Sequence, residues 1–89
     1  MKPHVRWDKG GEADVTQLSG DAVTLVSTIP SPPGSRLAGT VIDGGHTFRV
    51  KVHVSRKQVD GFMLEGRLID AARDVRAKLA DLVRADSAV

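Results

Sequence analysis

Leu18-Ser19-Gly20-Asp21-Ala22-Val23 joins two β-prone runs through a two-residue Gly-Asp turn. Turns of this kind match the twist of antiparallel strands, so the stretch reads as a hairpin between residues 14–19 and 22–28. The turn sets the register: Ser19 faces Ala22, Leu18 faces Val23 and Thr16 faces Leu25. Thr16, Leu18, Val23 and Leu25 then share a core face. Val15, Gln17, Ser19, Ala22, Thr24 and Val26 share the other, which puts Gln17 and Ser19 together and away from the core.

A second hairpin follows the same logic. Residues 36–43 and 46–54 flank Gly44-Gly45. A two-residue turn there sets Val41 opposite Phe48, Gly39 opposite Val50 and Leu37 opposite Val52, all on the core side. The reverse face gathers Arg36, Arg49, Lys51 and His53. Between residues 36 and 57 there are five Lys or Arg against one acid. The intervening segment Ile29-Pro30-Ser31-Pro32-Pro33-Gly34-Ser35 is a loop, because its prolines cannot donate to a central ladder.

Residues 56–61 read as a polar turn. Residues 62–69 read as another strand, with Phe62, Leu64 and Leu68 inward and Glu65 and Arg67 outward. Glu65 is expected beside the basic stripe. Asp70 is expected to cap a helix running to about residue 85. Ala72, Val75, Leu79, Leu82 and Val83 recur on it at helical spacing. A helix with one apolar face must cover something, here the sheet. Residues 1–13 form an N-terminal arm, with His4-Val5-Arg6-Trp7 its one run able to add a strand. Residues 86–89 form a frayed tail. The fold class is therefore mostly β: a small antiparallel β-barrel with one C-terminal α-helix, over residues 14–85. The core is expected at Leu18, Val23, Leu25, Leu37, Val41, Phe48, Val50, Val52, Phe62, Leu64, Leu68, Val75, Leu79 and Leu82.

Bulk properties bound the chemistry. Eighty-nine residues hold one core, not a two-domain cleft. There is no cysteine, so disulfides and thiol chemistry are excluded. Aromatics make up only 3% of the chain, so platforms for stacking bases are scarce. No apolar run approaches membrane-spanning length, and no membrane insertion is expected. Met1–Arg6 has no apolar signal region, which makes the cytoplasm the expected location. His4, His46 and His53 lack metal-ligand spacing, and no metal site is expected. Gly44-Gly45 precedes a strand and lacks the Gly-Lys-Ser/Thr of a phosphate loop. No Ser, His and Asp form a catalytic motif. The expectation is a protein that is not an enzyme and has no cofactor.

A short N-terminal arm, antiparallel strands around a Pro/Gly-rich loop, and one C-terminal helix together resemble the PilZ domain family. That family is a six-stranded antiparallel barrel with a C-terminal helix, and many members bind cyclic di-GMP. Its Asp/Asn-x-Ser-x-x-Gly motif corresponds here to Gln17-Leu18-Ser19-Gly20-Asp21-Ala22. Ser19 matches, while Gln17 replaces the acid or Asn and Ala22 replaces the Gly. Its Arg-x-x-x-Arg arm corresponds to Lys2-Pro3-His4-Val5-Arg6, with Lys for the first Arg and a shorter separation from the second motif. Lys lacks the planar fork with which Arg grips phosphate or guanine.

The resemblance implies a regulatory module of bacterial signalling, in motility or surface behaviour. It would act as an adaptor for another protein, with weak or absent cyclic di-GMP binding. Its alternative is a working cyclic di-GMP receptor through Lys2, Arg6, Gln17 and Ser19. A reading of another class is a basic barrel that binds nucleic acid through Arg36, Arg49, Lys51 and His53, aided by Arg56 and Lys57. The modest net charge of +2 and the scarce aromatics rank it last.

Overall fold

Six antiparallel strands and one helix follow one another in the computed structural model, which describes residues 4–42 and 44–87. The strands are β1 (His4–Trp7), β2 (Glu12–Ser19), β3 (Ala22–Ser27), β4 (Arg36–Val41), β5 (His46–Gln58) and β6 (Gly61–Asp70), and the helix is α1 (Arg73–Ser87). They close in the order β1-β2-β3-β6-β5-β4, with β1 pairing back to β4. Closure gives each strand two neighbours, while β5 beyond Val52 pairs with β6 alone. The expected fold class is what the chain adopts.

Val5, Trp7, Ala13, Val15, Val23, Leu25, Leu37, Val41, Phe48, Val50, Val52, Leu64 and Leu68 line the interior. Val75 and Leu79 of α1 join this core, while Leu18, Phe62 and Leu82 are partly buried against it. The helix packs on β2 and β5, which stand on opposite sides of the six-strand ring. It therefore crosses the barrel mouth, and Val75 and Leu79 close that mouth.

The first hairpin turns at Gly20, whose φ of 60° suits the left-handed position of a two-residue turn. Ser19 pairs with Ala22 and Leu18 with Val23, as the sequence predicts. Beyond that the register departs from expectation. Val15, not Thr16, faces Leu25, and Thr16 is the extra residue of a bulge. Val15 and Leu18 lie three residues apart, and a regular strand cannot turn both inward. One inserted residue reverses the alternation and lets both reach the interior. The Thr16 hydroxyl donates to the Thr24 carbonyl at 3.2 Å, which holds the bulge in place.

The second hairpin is also displaced. Val41 faces His46, Gly39 faces Phe48 and Leu37 faces Val50. The connection is longer than a Gly-Gly turn, with the Gly45 amide donating to the Val41 carbonyl at 3.0 Å. The shift is two residues, so every side chain keeps the face expected of it. Asp43, expected as the last strand residue before the turn, lies outside the described residues.

Three other boundaries move. Within the arm expected over residues 1–13, His4–Trp7 forms β1, which pairs with both β2 and β4, and β2 starts at Glu12. The polar turn expected over residues 56–61 is mostly strand: β5 continues to Gln58, which faces Gly61 around Val59-Asp60. Asp70 ends β6 and does not cap the helix. Ala72 stands at the cap, its carbonyl accepting the Arg76 amide at 3.0 Å. Ala72 itself is exposed and leaves the expected apolar stripe. Asp74 is the acid of the first turn, and its Oδ1 accepts the Val75 amide at 3.0 Å. The helix runs through Ser87, into the expected tail, and residues 88–89 lie outside the described residues.

Candidate functional site

Ser19 and Gln17 are exposed near the end of β2, next to the first turn. They share the outer surface, as the alternation predicts. Arg6 is also exposed, but it sits in mid-strand in β1, facing Glu12 of β2 and Thr40 of β4. Ser19 is seven positions beyond Glu12, one of them the Thr16 bulge, which puts it roughly 20 Å along β2 at about 3.3 Å per regular residue. Two ladders hold Arg6 at that distance. Lys2 lies outside the described residues. Of the residues assigned to a dinucleotide, the barrel wall brings Gln17 and Ser19 together and keeps Arg6 apart from them.

A different set is drawn together. On β4, β5 and β6, Arg36 faces Lys51 and Lys51 faces Arg67. Arg67 in turn faces Ala22, and Ala22 faces Ser19. One outward row therefore reads Arg36, Lys51, Arg67, Ala22, Ser19 around five strands. Adjacent strands lie about 4.8 Å apart, so the three cations are close neighbours. Arg36 and Arg67 are exposed and Lys51 is half-buried. Sequence reasoning put Arg67 outward but did not place it in the basic stripe. Its pairing with Lys51 depends on where β6 docks, which no local signal carries.

The other members of the expected stripe lie differently. Arg49 faces Asp70, with Nε 3.9 Å from Oδ2. His53 is exposed as the extra residue of a bulge between Val52 and Val54, out of the row. Arg56 faces Met63 and Lys57 faces Phe62, toward the β5–β6 turn. Glu65 faces Val54 and Thr24, one row away from Lys51.

Helix α1 is pinned beside the first turn. Arg76 Nη1 lies 2.7 Å from Asp21 Oδ1. Leu18, Gly20, Asp21, Arg73 and Arg76 border a groove of about 470 Å³ there. A second groove, of about 650 Å³, runs between the start of α1 and the β4–β5 hairpin. It carries Asp8, Asp70 and Asp74 against Arg49 and His46. Among the described residues no group of three or more His, Asp or Glu is arranged to hold a metal ion.

His4 makes the one titratable cluster with a displaced pKa among the described residues. Its Nδ1–H donates to Asp14 Oδ1 at 2.7 Å, and Nε2 lies 3.4 Å from Glu12 Oε1. The Asp14 hydrogen bond is the largest influence and raises the imidazole pKa. Burial works against it, and Glu12 adds to the rise. A pKa raised by folding means that protonated His4 stabilises the β1–β2 pair. That contribution is complete below the unfolded value of about 6.5 and disappears as pH rises through the folded value. Thermal melts from acid to mild alkali should show the midpoint falling across this window. His4→Gln should flatten that part of the profile, and an unchanged slope in the variant would remove His4 as its source.

No helix among the described residues is long and apolar enough to cross a membrane. Compared with protein-family models, curated proteins and solved structures, the chain matches none.

Proposed function

We propose that this chain is a non-enzymatic, PilZ-like regulatory module of bacterial signalling that works in the cytoplasm by holding another protein, with cyclic di-GMP bound weakly or not at all. The observation that carries this reading is the position of Arg6. In the resemblance an arm supplies Arg to a ligand resting on the barrel. Here Arg6 is part of the barrel wall, roughly 20 Å along β2 from Ser19. An arginine held in two ladders cannot swing onto a ligand near the first turn without opening the barrel.

Three sequence departures support the same conclusion. Lys2 lacks the bidentate fork of Arg. Gln17 carries no charge, and Ala22 adds a side chain where the motif has none. A scaffold altered in this way keeps its outer surface as its working part.

Affinity capture with the full chain, from an extract of the source cells, tests the reading. A protein partner retained in stoichiometric amount is the expected result. Capture of no protein across several growth and salt conditions would overturn it.

A further inference from the structure

We infer that the outer face of β4, β5 and β6 docks an acidic segment of a partner protein, gripped by Arg36, Lys51 and Arg67. This inference rests on the reading of the chain as a protein-binding module and names the surface it uses.

Arg49 has Asp70 and Arg76 has Asp21 as ionic partners. Among the described residues no carboxylate comes within ion-pair distance of Arg36, Lys51 or Arg67. Yet the register sets these three side by side. Like charges directly opposite one another weaken a sheet. The row therefore carries unrelieved repulsion that an arriving anionic group would remove.

The shape of the row selects the occupant. Along β6 it is flanked by Glu65 on one side and by Asp70, ion-paired with Arg49 of β5, on the other. A nucleic acid, with phosphates on a broad backbone, would meet the Glu65 carboxylate on one flank. It would also find little to stack on, since Trp7 and Phe48 are buried and Phe62 packs against the core. A peptide helix laid across the strands fits better. Carboxylates one turn apart on a helix are separated by about 5–6 Å, close to the spacing between strands. Such a segment would meet three cations with three carboxylates and keep clear of Glu65 and Asp70. Desolvated charge pairs of this kind give partner selection and rapid association.

The test uses the full chain and fluorescence anisotropy at low ionic strength. The probe is a short alanine-based helical peptide with Glu at i, i+4 and i+8; its Gln counterpart is the negative probe. The Glu peptide should bind and the Gln peptide should not. Lys51→Gln with Arg67→Gln should weaken binding at least ~10-fold, equivalent to about 1.4 kcal/mol. Lys9→Gln with Lys57→Gln makes the same change in net charge away from the row and should leave binding unchanged. Both double variants should melt no earlier than the parent, which separates lost binding from lost folding. Equal weakening by the two pairs, or unchanged binding by the row variant, would overturn the proposal. Tighter binding of a duplex DNA probe, with affinity falling linearly on a log–log salt plot, would assign the face to nucleic acid.

Capture from extract separates this inference from the reading beneath it. If the parent and the row variant retain the same partner, the docking face is wrong and the module reading stands. If the parent retains nothing, the module reading fails, and the peptide titration still decides what the face binds.

Discussion

Val50→Asp should leave the chain unfolded at room temperature. Val50 is 0% exposed and lies between Leu37 of β4 and Leu68 of β6, at the heart of the barrel wall. A carboxylate there would have only apolar side chains around it. Burying an unpaired charge costs several kcal/mol even after relaxation. A domain of this size has on the order of 5–15 kcal/mol in all, and the lost Val packing adds to the deficit. Circular dichroism should show no cooperative melt. Val50→Ala should stay folded with a lower midpoint, because it leaves a small cavity and no charge. A cooperative Val50→Asp melt at the parental midpoint would mean that Val50 does not face the interior.

Trp7→Ala should produce the next largest loss. Trp7 is 2% exposed and is the largest side chain in the core. Its ring stands 6.4 Å from that of Phe48, centroid to centroid. It lies over Gly39, where a Cβ would come within 2.8 Å of Trp7 Cε3. Its Nε1–H donates to Ser27 Oγ at 3.0 Å, and Ser27 also accepts the Ile29 amide at 3.2 Å. Removing the indole leaves a cavity and takes one partner from a buried hydroxyl. The cost should be about 3–5 kcal/mol, lowering the melting temperature by on the order of 15–30 °C. Denaturant unfolding measures it directly. A loss below about 1 kcal/mol, the centre of ordinary point substitutions, would show that β1 does not close the barrel.

Trp7 also marks where the sequence was hard to read. A four-residue strand followed by the polar, glycine-bearing segment Asp8-Lys9-Gly10-Gly11 carries too little periodicity to be distinguished from an arm. Its place follows from long-range pairing with β4. The faces of the two hairpins, by contrast, were legible. Alternation at period two is local, and a slip of two residues in β4–β5 leaves Leu37, Val41, Phe48, Val50 and Val52 buried in either register. The Thr16 bulge was not legible, because it depends on Val15 and Leu18 both finding room inside. Asp70 illustrates a competing demand. It is a good helix cap by type, but pairing with Arg49 keeps it in β6.

The candidate site divides along the same line. That Ser19, Gln17, Arg36 and Lys51 face outward is readable from alternation. That Arg67 completes a cation row with Arg36 and Lys51, and that Arg6 is anchored far from Ser19, depends on strand order. Strand order is settled by which faces close around the core, so no single segment reports it.

The most direct check on this account is a calorimetric titration of the full chain with cyclic di-GMP. A barrel whose Arg6 is held in β1 should give no saturable heat up to about 1 mM ligand, where the binding free energy is only about −4 kcal/mol. Saturable binding in the micromolar range, abolished by both Arg6→Ala and Ser19→Ala, would contradict it. That result would mean that β1 leaves the barrel to bring Arg6 onto the ligand.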